Sequence, residues 1–316
     1  MRNSICGCLL FLACAAAGPA GAADEYPAKA VQMIVPFPAG GPADIVGRLY
    51  AQHLSAVVGQ PVVTLNRDGA SGSIGTAAAA RAVPDGYTIV FGTTSTMVVN
   101  PLVMKDVPYD FWKDFALIGL IANAPHILAV REGLPAKSAS DLVAMARASP
   151  GKYTIASSGV GTIVQMAAEL LKQETGADLL VVPFKGGQPA TLALLSGEVD
   201  MIVNDLTALK SNLASGKLRA LAVAHTSRLK LLPDVPTFAE LGMPGMVSST
   251  WWGIGVPAKT PDAVQERLRA ATLKILADPG YVGRLASMAV EPMSLTPEQT
   301  NAFVAGEVKK WKSVAR

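Results

Sequence analysis

The sequence contains two copies of a motif that could bind an anion. Both copies read V-P-F-x-x-G-x-P-A, and they occupy residues 35–43 and 182–190. In each copy an apolar strand pattern ends at small residues, and a helix with proline in its first turn is expected to begin. The first amides of such a helix have no partner within it, and the helix dipole adds partial positive charge there. Each copy therefore predicts a helix N-terminus suited to a carboxylate or another anion.

Five predicted strand-to-helix junctions, including both motifs, are rich in small and polar residues. A single junction of this kind is more often an ordinary turn. Five of them favour a binding cleft, because ligands of α/β proteins lie beyond the carboxyl ends of the strands. The predicted ligand-binding residues are Phe37, Ala39, Gly40, Gly41, Asp44, Thr93, Ser95, Ser158, Gly159, Gly161, Thr162, Phe184, Lys185, Gly186 and Asp205.

Several of these side chains have a structural alternative. Phe37 and Phe184 occupy matching places in the two motifs and could sandwich the carbon skeleton of a ligand, or pack in the core. Asp44 and Asp205 could accept a hydrogen bond from a ligand or a bridging water, or stabilise the start of a helix. Lys185 could pair with a ligand acid, or remain solvated. Because the five junctions contain no arginine, we expect backbone amides and water, rather than direct ion pairs, to hold the ligand.

Signals for catalysis, metal binding and cofactor binding are weak. The three histidines are far apart and lack metal-ligand spacing, so no metal site is expected. Ser158 lacks the preceding glycine of a nucleophile elbow. The glycines of residues 69–75 have G-x-x-G-x-x-G spacing rather than the dinucleotide fingerprint, so no cofactor is expected. No catalytic residue is predicted, and a secreted hydrolase that uses Ser95 or Ser158 is the weaker alternative.

The N-terminus has the pattern of a secretory signal peptide over residues 1–23. Arg2 precedes an apolar run from Ile5 to Ala17 and a small-residue cleavage region. This predicts export to the periplasm, and it places all three cysteines in the cleaved segment, so that no disulfide is expected. A lipoprotein-type cleavage at Cys14 is the less favoured alternative. Without Arg2 the formal net charge falls from +3 to +2, which gives no reason to expect nucleic acid as a partner.

Alternating strand and helix patterns predict an α/β protein with parallel strands. Residues 115–122 and 126–130 are typical of two consecutive strands around Asn123-Ala124-Pro125, where we place a crossing between two domains. A second crossing is expected just before Trp251. The predicted domains are residues 24–123 with 247–316, and residues 124–246, in a monomer that closes by hinge motion.

These motifs, in this order, resemble the Bug (TctC-like) solute receptors of tripartite tricarboxylate transporters. The resemblance extends over essentially the whole mature chain. It is carried by Tyr26-Pro27 and by residues 34–44, 69–75, 84–88, 158–162, 182–190 and 252–257. It implies a periplasmic binding protein of type II, in which two domains close like a Venus flytrap on a ligand cleft.

The resemblance also implies a function. A small organic carboxylate would be held by backbone amides and waters at residues 37–41 and 158–162, without enzymatic chemistry. The large and small membrane subunits of a transporter would then receive it. The same cleft could instead serve a periplasmic sensor that docks on a receptor kinase. The ligands of the family range over citrate-like acids, dicarboxylates, amino acids, aromatic acids and neutral vitamins, so the ligand of this chain stays open.

Overall fold

Strands and helices alternate along most of the chain in this computed structural model, which describes residues 26–315. The strands are β1 (Val31–Val35), β2 (Val62–Asn66), β3 (Thr88–Thr93), β4 (Phe115–Arg131), β5 (Thr154–Ser157), β6 (Leu180–Pro183), β7 (Met201–Asp205), β8 (Leu218–Val223), β9 (Ser249–Pro257) and β10 (Glu291–Pro292). The helices are α1 (Pro42–Val58), α2 (Ser73–Ala80), α3 (Asn100–Val103), α4 (Phe111–Asp114), α5 (Ala139–Ala148), α6 (Ile163–Thr175), α7 (Gly187–Ser196), α8 (Leu206–Ala214), α9 (Asp262–Leu276), α10 (Pro279–Ala286) and α11 (Pro297–Val314). Of these helices, none has the length and apolar character that crossing a membrane requires. The predicted signal peptide, with Cys14, lies outside the described residues.

The sheet consists of two groups of parallel strands joined by antiparallel ones. The strand order is β2-β1-β3-β9-β4-β7-β5-β6, and β8 and β10 also pair with β4. β1 is parallel to β2 and β3, and β5 is parallel to β6 and β7. Between these groups, β9 is antiparallel to β3 and β4, and β4 is antiparallel to β7. The predicted α/β class is confirmed.

The central strand β4 corrects one prediction. The sequence indicated two strands interrupted at Asn123-Ala124-Pro125, whereas the structure has one continuous strand of 17 residues. Its first part pairs with β9 as far as Pro125, and its second part pairs with β7 and β8 from His126 onward. Pro125 has no amide hydrogen to donate, and it is tolerated because it lies where the strand changes partners.

Buried tryptophans anchor the last helix to β9. Trp251 and Trp311 are fully buried, and each donates its indole N–H to Oε2 of Glu307 at 3.0 Å. The other carboxylate oxygen of Glu307 pairs with Lys310 on the same helix. The helices α9, α10 and α11 follow β9 along the chain.

The predicted junctions follow the carboxyl ends of the strands. β1 leads into α1, β5 into the loop before α6, β6 into α7, and β7 directly into α8. β3 leads into Ser95–Val99, which forms a buried π-helical turn. Within each parallel group the carboxyl ends lie at one edge of the sheet, and this edge is where a ligand site is expected.

Candidate ligand-binding site

A cavity of about 80 Å³ lies among the predicted junctions. Eight of the predicted residues line it: Phe37, Ala39, Gly41, Thr93, Ser95, Ser158, Gly186 and Asp205. They come from five separate stretches of the chain, so the fold brings together residues that the sequence alone left far apart.

The two motif helices begin at this cavity. α1 begins at Pro42 and α7 at Gly187, and neither N-terminus is capped by a side chain. The two turns also face each other closely, since a Cβ atom added to Gly186 would lie 3.6 Å from Cγ of Pro38. Two uncapped helix N-termini therefore meet at one small space, where their free amides and dipoles favour an anion.

Asp44 holds the first of these turns in shape and does not line the cavity. Its carboxylate accepts hydrogen bonds from the Gly40 amide at 2.9 Å, Nε of Arg48 at 2.8 Å and Nδ2 of Asn66 at 2.9 Å. Burial by itself would raise the pKa of Asp44, but these hydrogen bonds and the charge of Arg48 outweigh it and hold the pKa below its usual value. These contacts give Asp44 a structural role in the first turn of α1, and its predicted role as a ligand acceptor stays a prediction.

Six other predicted residues also lie away from this cavity. Thr162 caps α6, because its side chain accepts a hydrogen bond from the Gln165 amide. Its hydroxyl also donates a hydrogen bond of 2.7 Å to the carbonyl of Gly159. A neighbouring cavity of about 360 Å³ is lined by Gly159, Phe184 and Lys185, together with Phe37, Ser158 and Gly186 from the first site. Gly40 and Gly161 line neither cavity. The expected sandwich of Phe37 and Phe184 is thus not formed at the smaller cavity.

Two residues outside the predicted set line the small cavity, and each has a buried donor. Asn204 is at the end of β7 and Trp252 is in β9, and both are buried. Nδ2 of Asn204 and Nε1 of Trp252 have no hydrogen-bond partner among the described residues. A buried donor without a partner costs about 1–3 kcal/mol, so a bound ligand or water is expected to satisfy them. The sequence placed Asn204 in one of the five junctions without assigning it a role. It did not single out Trp252, because a tryptophan in a strand is usually a core residue.

Asp205 lines the same cavity and caps α8. Its Oδ1 accepts from the Ala208 amide at 3.1 Å, and its side chain is buried. Burial raises the pKa of Asp205 to about 6. Its neighbour across the β4–β7 pair is His126, which is also buried.

His126 supports the floor of the cavity without carrying charge. Its Nε2 lies 2.9 Å from Oγ1 of Thr250, a cavity residue, and its Nδ1 lies 2.9 Å from Oγ of Ser248. Burial, with a smaller effect from the charge of Lys310, lowers the pKa of His126 to about 3. The neutral ring therefore holds Thr250 in place and provides no cation for a ligand.

The family of the chain follows from comparison with known proteins. The profile of TctC, the tripartite tricarboxylate transporter family receptor, matches residues 46–316. The chain belongs to this receptor family. BugT of Bordetella pertussis (strain Tohama I) is 35% identical over 308 residues, which cover 97% of this chain and 94% of BugT. The resemblance seen in the motifs is thereby confirmed.

Two solved structures that contain carboxylates are similar to this TctC-family receptor. Rpa4515 of R. palustris with adipate is 34% identical, with a TM-score of 0.88, and the match covers 92% of this chain and 97% of that one. MatC (Rpa3494) of Rhodopseudomonas palustris with bound malate is 29% identical, with a TM-score of 0.85, and the match covers 92% and 100%. These similarities confirm the two-domain periplasmic binding protein fold.

The serines at the cleft of this TctC-family receptor are not paired with a histidine among the described residues. Oγ of Ser95 accepts from the Ile163 amide at 3.0 Å, a bond that links the β3 junction to the start of α6. Within residues 26–315, neither Ser95 nor Ser158 hydrogen-bonds to a histidine. The same part of the chain contains no cluster of three metal-ligating side chains. The described residues therefore do not form the serine–histidine pair that a hydrolase of the usual kind would use.

Proposed function

We propose that this protein is a periplasmic receptor that captures a small organic carboxylate and delivers it to the membrane subunits of a tripartite tricarboxylate-type transporter. The observation that carries the proposal is the meeting of two uncapped helix N-termini with two unpartnered buried donors, Asn204 and Trp252, at one cavity. The family, and the adipate and malate in similar structures, support the same ligand class.

The ligand carboxylate would be bound mainly by neutral donors. No lysine or arginine lines the cavity, so the amides of the α1 and α7 first turns and the side chains of Asn204 and Trp252 provide the attraction. Preorganised amides and helix dipoles stabilise a carboxylate without the desolvation of a buried cation. No chemical step is part of the proposed function.

The proposed receptor acts as a monomer of two domains, residues 24–123 with 247–316 and residues 124–246. These domains would rotate about β4 near residues 123–125 and about the chain near residues 246–250. A signal peptide over residues 1–23 would direct the chain to the periplasm, where the large and small membrane subunits receive the loaded form. The continuous strand β4 supports a hinge that bends at its change of partners.

The test is ligand binding by the purified mature chain. Organic acids of one, two and three carboxylates, amino acids and neutral amides are screened by thermal shift, and those that stabilise the protein are titrated by calorimetry. At least one carboxylate is expected to raise the melting temperature in a concentration-dependent way. The result that would contradict the proposal is a panel in which no carboxylate binds.

The neighbouring tryptophans provide a matched pair of variants. Trp252→Phe removes an indole N–H that has no protein partner, so it should weaken carboxylate affinity roughly tenfold while stability changes little. Trp251→Phe removes a donor to Glu307, so it should lower the free energy of unfolding by about 1–3 kcal/mol and affect affinity less. Equal affinities of the Trp252→Phe variant and the wild type would argue against the assigned donor.

Delivery is tested separately, with the membrane subunits in proteoliposomes. Uptake of the ligand found in the screen should require the receptor, and a variant that cannot bind should not support it. Binding without uptake would leave the receptor role in place and point to a sensor as the recipient.

A further inference from the structure

One ionisable side chain, Asp205, lines the small cavity. The other lining residues are apolar, glycine, hydroxyl or amide residues, and Asp205 contributes the cavity's formal charge. A site built for a simple acid would not need a carboxylate of its own, because two carboxylates at close range repel each other.

The charge of Asp205 is not neutralised by the protein. Oδ1 accepts from the Ala208 amide, whereas Oδ2 has no hydrogen-bond partner among residues 26–315. The adjacent ring of His126 bonds to Ser248 and Thr250 instead, and it is uncharged. A buried carboxylate with a free oxygen is unfavourable unless a cation or donor comes to it.

The motif turns at the same cavity present hydrogen-bond donors instead of a negative charge. Nδ2 of Asn204 lies beside the start of α7, 3.8 Å from where a Cβ atom of Gly187 would be. This amide, the indole of Trp252 and the uncapped starts of α1 and α7 all present donors. The cavity thus has a donor-rich region for a carboxylate and one acidic group that requires a donor from the ligand.

We propose that Asp205 determines the specificity of this receptor, and that its ligand is a small zwitterionic amino acid. The ligand carboxylate lies at the N-termini of α1 and α7, and its ammonium group pairs with Asp205. The inference rests on the proposed function and narrows its ligand class. A dicarboxylate would place its second charge in a cavity with no cation among its lining residues.

The test compares ligands of equal length that differ in one group. Calorimetry is run with L-alanine, propionate and malonate, and with 4-aminobutyrate, butyrate and succinate. In at least one set the amino acid should bind the wild type tenfold or more tightly than both partners, because it alone supplies a cation. In Asp205→Asn that preference should be lost, with the amino acid weakened tenfold or more and the dicarboxylate unchanged or tighter.

The controls separate specificity from folding. Asparagine and serine can both cap α8, so Asp205→Asn and Asp205→Ser are each checked for a cooperative melting transition before titration. Asp234→Asn changes an exposed aspartate and should keep the wild-type preference. If neither Asp205 variant folds, the preference of the wild type alone decides.

Two results would overturn the inference. One is a wild type that binds a mono- or dicarboxylate at least as tightly as the matched amino acid in both sets, and the other is an Asp205→Asn variant with unchanged amino acid affinity. Either result leaves the proposed function intact, since a carboxylate is still bound. If no carboxylate binds in these sets or in the wider panel, the proposed function fails as well.

Discussion

The buried carboxylate of Asp205 should make the ligand-free protein less stable at neutral pH. Its pKa is about 6 in the folded protein against 3.8 for an ordinary aspartate, so between these values the folded state binds the proton more tightly than the unfolded state. The contribution of Asp205 to the free energy of unfolding is therefore fully present below pH 3.8, and it is lost as the pH rises through about 6. We expect Asp205→Asn to raise the free energy of unfolding by about 1–3 kcal/mol at pH 7.5, measured by urea denaturation.

At pH 4 the same substitution should give little or no gain, because Asp205 is then mostly protonated. Asp234→Asn, at an exposed position, should show no such dependence on pH. An equal gain for Asp205→Asn at both pH values would mean that the effect does not come from ionisation of the buried carboxylate.

For single residues such as Asp44 and Asp205, the sequence predicted the position in the fold but not the role of the side chain. Both were predicted near the ends of strands, and both are there. Their different roles depend on contacts that their own positions do not reveal. Asn66, 22 positions away, joins Gly40 and Arg48 in holding the carboxylate of Asp44, whereas Oδ2 of Asp205 has no hydrogen-bond partner among the described residues. Such contacts are set by tertiary packing, and local sequence patterns do not contain them.

Most elements could be predicted because their signals are local. Glycine and proline mark the turns, and apolar periodicity marks the helices. The repeated motif illustrates the limit of such signals. Its alignment matches Gly40 with Gly187, but the left-handed backbone conformation falls at Gly40 in the first copy and at Gly186 in the second. Two segments of one sequence pattern therefore begin their helices in different ways.

Adjacent glycines in the first turn should respond differently to alanine. Gly40 has φ of +78°, which disfavours any side chain, so Gly40→Ala should lower the free energy of unfolding by about 1–2 kcal/mol. Gly41 has φ of −80° and lines the cavity, so Gly41→Ala should keep stability and weaken ligand binding instead. Chemical denaturation and calorimetry measure the two effects, and the prediction is wrong if both variants lose stability equally.

At the scale of the whole molecule, the site exists because distant parts of the chain meet. Phe37 and Trp252 line one cavity although 215 positions separate them in the sequence, since β3 and β9 pair between their elements. The motifs predicted the two turns that lead into α1 and α7. Which turns face one another, and which strand passes behind them, depends on the strand order of the complete sheet.

Contacts across the cleft should favour the closed form and so raise ligand affinity. Oγ of Ser71, in the Ala70–Gly72 turn, donates to the carbonyl of Val160, in the loop before α6, and this bond lies outside the small cavity. Ser71→Ala should therefore weaken carboxylate affinity twofold to tenfold by destabilising closure, with the cavity donors intact. Small-angle scattering at subsaturating ligand should show a smaller compact fraction. Ser215→Ala is the control, because the one hydrogen bond of that hydroxyl within residues 26–315 is to the carbonyl of Asn212 near the end of α8. If Ser71→Ala and Ser215→Ala bind and compact alike, the bond from Ser71 to Val160 does not control closure.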